Sequence, residues 1–286
     1  MVVYLVWDMS KKGFFQTSER KTGMPTAHVN HCDIYYEIHG QGDPLVMIMG
    51  LRRNIEWWYR QIPTLEKHFK VVVFDNRGAG RSEKPAMDYS IGLFADDTAI
   101  LMEALDIDYA HVLGVSMGGY IAQELAINHP GKVKDLVLGC TGCGGEKAVL
   151  MSADRMEKFT ANQNLTPEEI LKKDMDIYFS DEYVGGNPAA IAQFSEISMR
   201  YYQPADAFLR QYAACRKHDT VARINRITQP TLIMTGDDDP LVPLENSFIL
   251  KELLPHAQLS VFPRGRHCFF MEFADRFNEE VVDFFR

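Results

Sequence analysis

One short segment of the sequence combines a nucleophilic side chain with glycines at the spacing of a sharp turn. The segment Gly114-Val115-Ser116-Met117-Gly118 contains the pattern G-x-S-x-G between an apolar run and a helical pattern. In a strand–turn–helix arrangement, glycines let the turn pass close to its neighbours, and the serine hydroxyl projects above the sheet. The alternative is a surface turn without function, and the flanking strand and helix argue against it. We therefore expect Ser116 to be a nucleophile.

His267 is the candidate base for this serine, because a hydroxyl becomes a good nucleophile when a base takes its proton. It follows the last apolar run, and sites of this type have serine, acid and histidine in that chain order. His218, which ends a long helical region, is the one serious rival. The other histidines precede the nucleophile or lie in expected helix-to-strand connections: His28, His31, His39, His68, His111, His129 and His256.

Three adjacent aspartates lie between the serine and the candidate base, in the segment Gly236-Asp237-Asp238-Asp239-Pro240. A buried carboxylate from this segment would orient the imidazole and stabilise its cation. Because the three side chains are chemically identical, chemistry alone leaves the choice among them open. The sequence thus predicts a Ser–His–Asp triad whose acid is one of these three residues.

Catalysis of this kind also needs hydrogen-bond donors for an oxyanion. The backbone N–H of Met117, directly after the nucleophile, is expected to be one, and that of Leu51, in the loop after the apolar run 45–49, the other. Arg52 and Arg53 follow Leu51 directly. If they lie near a pocket, they would attract a substrate carboxylate. An equal alternative is that they are solvated loop charges or pair with acidic residues.

Continuous apolar runs separated by helical patterns must position these residues. Runs without polar alternation indicate strands buried on both faces, and helices between them indicate a mostly parallel sheet. We therefore predict an α/β fold of three layers. The predicted strands are residues 33–39, 45–49, 71–74, 111–113, 133–138, 231–234 and 259–262, and the predicted helices are 91–105, capped by Ser90, 120–128, 245–254 and 274–285.

Residues 141–228 break this alternation and are predicted to be helical. We expect helices at about 146–161, 166–179 and 188–216, with a break at Pro204 and a helix start at Thr166-Pro167. A helical insert between two strands is typical of a cap over an active site. Residues 1–23 are expected to be an extension that is not a signal peptide, residues 24–140 and 229–286 the two parts of the core, and residues 141–228 the cap.

The composition disfavours several classes of partner. The net charge of −9 argues against nucleic acid, because a phosphate binder needs a surplus of Lys and Arg on one face, and against an anionic membrane surface. No apolar run reaches the roughly 18 residues of a membrane span. The five cysteines are scattered and odd in number, which argues against a disulfide framework and for a cytoplasmic protein.

Two further motifs do not predict cofactor chemistry. Cys140 and Cys143 form a C-x-x-C with no second pair, which is too little for a zinc site. The G-x-G of Gly78 and Gly80 lacks the third glycine of a dinucleotide site, where Glu83 stands instead. We expect no metal, no organic cofactor and a small-molecule substrate; the oligomeric state is not predicted.

Several motifs together resemble those of the α/β-hydrolase superfamily, over about residues 25–286. The resemblance favours Asp239 as the acid and leaves Asp237 and Asp238 as loop residues. It departs at the oxyanion loop, where many members have His-Gly and this chain has Met49-Gly50. The matched positions are Gly114, Ser116 and Gly118 of the nucleophile turn, Gly236, Asp239, Val242 and Pro243 of the acid loop, Gly265 and His267, and Asp75, Arg77, Gly78, Gly80 and Ser82 of a D-x-R-G-x-G-x-S segment.

Within that superfamily the chain is similar to small capped esterases, enol-lactonases and C–C bond hydrolases. The resemblance implies a serine hydrolase that cleaves a small carboxylic ester or lactone through an acyl-enzyme, in a cavity lined partly by apolar cap residues. Two alternatives stay open: hydrolysis of a C–C bond in a diketone-like acid, and non-catalytic ligand binding on the same scaffold.

Overall fold

The computed structural model describes residues 25–162 and 164–286, and over these residues it contains a sheet of eight strands. The strands are β1 (Thr26–Val29), β2 (Cys32–His39), β3 (Pro44–Ile48), β4 (Lys70–Phe74), β5 (Ala110–Val115), β6 (Val133–Gly139), β7 (Thr231–Gly236) and β8 (Gln258–Phe262). Their order across the sheet is β1-β2-β4-β3-β5-β6-β7-β8. The pairs β1–β2 and β2–β4 are antiparallel and the others parallel, which confirms the predicted mostly parallel sheet.

Helices cover both faces of this sheet. The helices of the described residues, including those inserted between β6 and β7, are α1 (Ile62–Leu65), α2 (Ile91–Ala104), α3 (Met117–Asn128), α4 (Ala153–Thr160), α5 (Pro167–Lys173), α6 (Met175–Tyr178), α7 (Asp181–Gly186), α8 (Pro188–Met199), α9 (Ala205–Arg216), α10 (Glu245–Leu253), α11 (Phe269–Glu272) and α12 (Ala274–Phe285). Short 3-10 helices lie at Ile55–Trp58, Pro130–Lys132, Gly145–Lys147 and Ile224–Arg226. Within the described residues, no helix is long and apolar enough to cross a membrane.

The central strand β3 shows why the apolar runs were continuous. Its successive side chains point to opposite faces of the sheet, and both faces are buried. Val46 and Ile48 pack in one hydrophobic cluster with residues of α2, α3 and α10, whereas Leu45 and Met47 pack in another with residues of α12. The sheet therefore lies between two helical layers, as predicted for an α/β fold of three layers.

The D-x-R-G-x-G-x-S segment after β4 has a structural role. The Asp75 carboxylate accepts hydrogen bonds from the backbone N–H of Ile55 (2.8 Å) and Arg81 (2.7 Å). The Arg77 guanidinium forms two hydrogen bonds with Asp97 of α2, at 2.7 and 2.8 Å, and both side chains are buried. These contacts fix the loop beside the end of β3.

Several predicted boundaries were wrong, and strand β1 was not predicted. β1 has four residues and joins β2 through a tight turn in which Asn30 and His31 have positive φ of 48° and 59°. Helix α3 begins at Met117 instead of residue 120, because the turn that carries Ser116 passes directly into the helix. The predicted caps at Ser90 and Thr166 are present, and both accept a backbone N–H of the first helical turn.

The region between β6 and β7 contains α4–α9, which is more broken than predicted. The expected helix 146–161 begins only at Ala153, where the Ser152 side chain caps it by accepting the N–H of Arg155. The expected helix 166–179 divides at Asp174, whereas the division of 188–216 between Met199 and Ala205 confirms the predicted break at Pro204. Helix α7 was missed, since its Gly185-Gly186 end gives no helical signal. The boundaries of a cap stay a prediction, and the expected extension 1–23 lies outside the described residues.

Candidate active site

Ser116 lies in the sharp turn between β5 and α3. Its backbone has φ 57° and ψ −122°, a conformation that non-glycine residues rarely adopt. The turn needs glycine at position 118, since a Cβ there would lie 2.0 Å from the Ile48 carbonyl oxygen. The Ser116 N–H donates to the Gly139 carbonyl at 2.8 Å, which ties the turn to β6. The sequence folds here into the strand–turn–helix that presents a serine side chain.

His267 and Asp239 meet in the loops that follow β8 and β7. Nδ1 of His267 lies 2.8 Å from Oδ2 of Asp239, and both side chains are buried. The other oxygen of Asp239 accepts the N–H groups of Leu241 (2.8 Å) and Val242 (3.0 Å). A carboxylate held in this way favours the proton on Nδ1 and leaves Nε2 free to accept one.

The two neighbouring aspartates point elsewhere. Asp237 accepts the backbone N–H of Arg264 at 2.5 Å, and Asp238 contacts the Arg266 guanidinium at 3.0 Å. Both are exposed. Of the three candidate acids, Asp239 is thus the one that the structure brings to His267.

The loop that carries His267 is fastened to helix α6, a contact that the sequence did not suggest. The N–H of His267 donates to the Ile177 carbonyl (3.1 Å), and that of Cys268 to the Tyr178 carbonyl (2.9 Å). The Arg266 guanidinium contacts Asp238 and, from its Nη1, the carbonyl oxygens of Asp176 and Phe179 at 3.0 and 3.1 Å. The position of the His267 imidazole therefore depends on α6, which belongs to the helical region inserted between β6 and β7.

The candidate oxyanion donors lie beside the serine. A Cβ on Gly50 would be 3.0 Å from Cβ and 3.4 Å from Oγ of Ser116, so the chain at residues 50–51 passes directly along the Ser116 side chain. Met117 is the first residue of α3, where backbone N–H groups have no partner within the helix. Leu51 and Met117 both line the cavity that Ser116 and His267 face.

A buried glutamine of α9 fixes the residue after Leu51. Arg52 has positive φ of 71°, and its N–H donates to Oε1 of Gln211 at 3.1 Å. The amide nitrogen of Gln211 in turn donates to the Arg77 carbonyl at 2.8 Å. Nothing in the sequence pointed to Gln211, because it lies 159 residues from the loop that it contacts.

The shared cavity has a volume of about 280 Å³, at the lower end of the range for small-molecule sites. Its walls are mainly apolar and aromatic, and part of them comes from the region predicted as a cap. Lining side chains include Trp57, Met151, Met156, Phe159, Tyr178, Phe208, Tyr212 and Phe270. Within the described residues, no cluster of His, Cys, Asp and Glu could hold a metal ion.

Arg52 and Arg53 both line this cavity and are buried, with 8% and 9% of their surface exposed. The Arg52 guanidinium stacks on Phe208, with Cζ 4.2 Å from the ring centroid. That of Arg53 lies over Trp57 at 4.0 Å and donates to the Tyr178 hydroxyl. The alternative that they are solvated loop charges is wrong.

His218, the rival base, lies on the cavity wall against Tyr120, with ring centroids 4.3 Å apart. Its Nδ1 is 3.9 Å from the Glu124 carboxylate, and burial lowers its pKa to about 4. Asp239 contacts His267 and makes no hydrogen bond to His218. The structure therefore gives the orienting carboxylate to His267.

Sequence comparison relates the chain to known proteins over most of its length. The sequence model of a family described as alpha/beta hydrolase fold matches residues 43–274. A putative carbamate hydrolase RutD of Azorhizobium caulinodans is 29% identical over 261 residues, which are 91% of this chain and 98% of that protein.

Solved structures with similar folds include two with more than a quarter of their residues identical. One is the meta-cleavage product hydrolase CumD of Pseudomonas fluorescens, with 28% identity and a TM-score of 0.76 over 91% of this chain and 96% of that one. Another is Est816, described as an N-acyl homoserine lactone degrading enzyme, with 29% identity and a TM-score of 0.80 over 91% of this chain and 100% of that one.

Proposed function

The chain belongs to the α/β-hydrolase fold family, and we propose that it is a serine hydrolase that cleaves a small carboxylic ester or lactone through an acyl-enzyme. The observation that carries this proposal is the buried contact between Asp239 and His267 in the wall of the cavity that Ser116 also lines. These three residue types in this arrangement generate a nucleophile from an ordinary hydroxyl.

The proposed reaction has two acyl-transfer steps. Ser116 attacks the substrate carbonyl while Nε2 of His267 takes the hydroxyl proton, and Asp239 stabilises the imidazolium that forms. The backbone N–H groups of Met117 and Leu51 bind the oxyanion. His267 then protonates the leaving group, and a water activated by the same imidazole hydrolyses the acyl-enzyme.

The surroundings support a small substrate of partly apolar character. The cavity of about 280 Å³ has aromatic walls, and helices α4–α9 are proposed to form the cap that covers it. Arg52 and Arg53 are proposed as substrate contacts, since both line the cavity. A cytoplasmic location is proposed because Cys32, Cys140, Cys143, Cys215 and Cys268 are free thiols in the structure.

Two of the similar proteins favour acyl transfer as the reaction, and a third favours a second candidate reaction. A lactone-degrading enzyme and a putative carbamate hydrolase, each 29% identical, are named for substrates with a carbonyl carbon bonded to oxygen or nitrogen. The meta-cleavage product hydrolase, at 28% identity, supports C–C bond hydrolysis as the alternative, with Arg52 or Arg53 binding the acid. The same three residues would serve both reactions.

Covalent labelling tests the proposal. A fluorophosphonate should add one phosphonyl group to the wild-type protein, seen by intact mass, and none to Ser116→Ala, whose turnover should fall about 10⁶-fold. A panel of aryl esters, lactones and vinylogous diketones then separates ester, lactone and C–C cleavage. A wild-type protein that remains unlabelled and hydrolyses no member of the panel would instead be a ligand-binding protein on this scaffold.

A further inference from the structure

The cavity beside Ser116 has a charge opposite to that of the whole chain. The chain carries a net charge of −9, yet among the described residues that line the cavity there is neither Asp nor Glu. The charged groups in that lining are the arginines Arg52, Arg53 and Arg216, together with the titratable His218 and His267. An apolar cavity with only cationic side chains is suited to a ligand that brings a negative charge.

Arg52 and Arg53 are the informative members of this set, because they are buried. Within the described part of the chain, neither has a carboxylate oxygen within 4.0 Å, whereas Arg77, the one other buried arginine there, pairs with Asp97 at 2.7 Å. The Arg52 side chain forms no hydrogen bond in that part of the chain; its contact is the ring of Phe208. A buried guanidinium without an anion is costly, since burial penalises its charge.

The surroundings of Arg53 fix its guanidinium without neutralising it. It lies over the Trp57 ring at 4.0 Å and near the Tyr178 ring at 5.1 Å, and its one side-chain hydrogen bond among the described residues goes to the Tyr178 hydroxyl. Aromatic faces attract a cation weakly and leave the remaining N–H groups in its plane free. A guanidinium fixed in this way can present paired donors to a carboxylate.

The two positive charges also repel each other. Burial lowers the pKa of Arg52, and the charge of Arg53 lowers this pKa further. The Asp174 carboxylate opposes this lowering of the Arg52 pKa, but it is fully buried, is absent from the cavity wall, and has Lys173 as its ion-pair partner at 3.1 Å. An anion between the two guanidinium groups would relieve this repulsion.

We propose that the cavity binds substrates that carry a carboxylate besides the bond to be cleaved, and that Arg52 and Arg53 hold this carboxylate. The inference rests on the proposed serine hydrolase function and names its substrate class. A singly charged carboxylate fits an otherwise aromatic wall better than a doubly charged phosphate, whose desolvation costs more.

Binding of matched ligands to Ser116→Ala tests this inference without turnover. Benzoate and benzamide have nearly the same shape and differ in charge, so calorimetric titration of both measures recognition of the carboxylate. We expect benzoate to bind at least about 10-fold more tightly than benzamide, as charge-assisted hydrogen bonds predict. Arg52→Gln and Arg53→Gln should each reduce this ratio about 10-fold. Equal affinities for the two ligands would overturn the inference, even if an arginine variant fails to fold.

Arg216→Gln is the matched control, because it removes the same charge from an exposed position on the same cavity. Its benzoate-to-benzamide ratio should stay within about 2-fold of the parent ratio, since an exposed charge is screened. If Arg216→Gln lowers the benzoate-to-benzamide ratio as much as the other two variants do, the preference comes from the general positive potential of the cavity and not from a site at Arg52 and Arg53. Tighter binding of phenyl phosphate than of benzoate would overturn the assignment to a carboxylate. Failure of fluorophosphonate labelling tests the serine chemistry separately, so the two failures can be told apart.

Discussion

Oδ2 of Asp239 lies 2.8 Å from Nδ1 of His267, while Oδ1 of the same carboxylate accepts two backbone N–H groups, from Leu241 and Val242. Both oxygens are therefore occupied by donors. An imidazole that donates from Nδ1 presents Nε2 as a base, so this one contact sets both the orientation of the ring and its tautomer.

Replacing this carboxylate should therefore affect the rate of reaction much more than the fold. In Asp239→Asn, the single amide oxygen cannot serve His267 and the loop N–H groups together, and an NH₂ facing Nδ1 favours the wrong tautomer. We expect kcat to fall about 10⁴-fold, measured with the best ester or lactone of the panel. Asp237→Asn is the control, since Asp237 is exposed and accepts only a loop N–H. If Asp239→Asn keeps the wild-type kcat while Asp237→Asn is inactive, Asp239 is not the acid that orients His267.

A contact between His267 and one of the three aspartates 237–239 could be predicted from local features of the sequence, whereas the choice of Asp239 came from the resemblance to the α/β-hydrolase superfamily. A serine in G-x-S-x-G, an acid loop after one strand and a histidine after the next are each defined by their own few residues, and parallel strands bring their carboxyl ends to one edge of the sheet. The continuous apolar character of β3 likewise follows from burial of both faces at that segment.

The hydrogen bonds that hold the site residues in place could not be predicted from the sequence, because they depend on packing between distant segments. Gln211 reaches Arg52 only because α9 folds back over the oxyanion loop, and the segment between these two residues, which are 159 positions apart, carries no sign of it. Arg266 is next to His267, yet its carbonyl partners Asp176 and Phe179 belong to a region whose helices were themselves placed inaccurately. A backbone carbonyl accepts a hydrogen bond whatever its side chain, so sequence carries no record of such contacts.

Gln211 is predicted to position the oxyanion loop. Gln211→Leu leaves the Arg52 N–H and the Arg77 carbonyl without their partners, and the loop that begins at Gly50 should shift. Since a displaced oxyanion donor costs about 10²- to 10³-fold in kcat, we expect a partial shift to lower kcat about 10- to 100-fold with a smaller change in KM. Steady-state kinetics with a neutral ester measures both parameters.

Gln203→Leu provides the matched comparison for that variant. Gln203 is also buried and donates to a backbone carbonyl of the same loop region, that of Gly78 at 2.7 Å, but it forms no hydrogen bond with Arg52. The Gln203→Leu variant should lower the urea midpoint of unfolding by about as much as Gln211→Leu does, while its kcat stays near the wild-type value. If both glutamine variants lose kcat equally, the loss in Gln211→Leu comes from general destabilisation of the fold and not from a shift of the loop at Gly50.

The buried pair between Arg77 and Asp97 should be important for stability. Asp97→Ala would leave the Arg77 guanidinium buried with the Asn30 carbonyl as its remaining oxygen partner. Loss of one partner from a buried pair typically costs about 3–5 kcal/mol, which urea unfolding would detect as a lower midpoint. The exposed pair between Arg200 and Glu196 offers a control, and Glu196→Gln should leave the midpoint unchanged. Similar shifts in both variants would contradict the special importance of the buried pair.

His218 should make the protein less stable in mild acid. Burial lowers its pKa from 6.5 to about 4, and the Glu124 carboxylate 3.9 Å away opposes the shift without cancelling it. Between these two pH values the unfolded chain binds a proton at this histidine and the folded chain does not. The free energy of unfolding therefore rises with pH through this window, and falls by up to about 3 kcal/mol as the pH drops from above 6.5 to below 4. Urea unfolding at pH 7.5 and pH 4.5 should show a smaller loss for His218→Gln than for wild type, whereas His31→Asn, at an exposed turn position, should keep the wild-type loss. An undiminished loss in His218→Gln would mean that other groups cause the acid sensitivity.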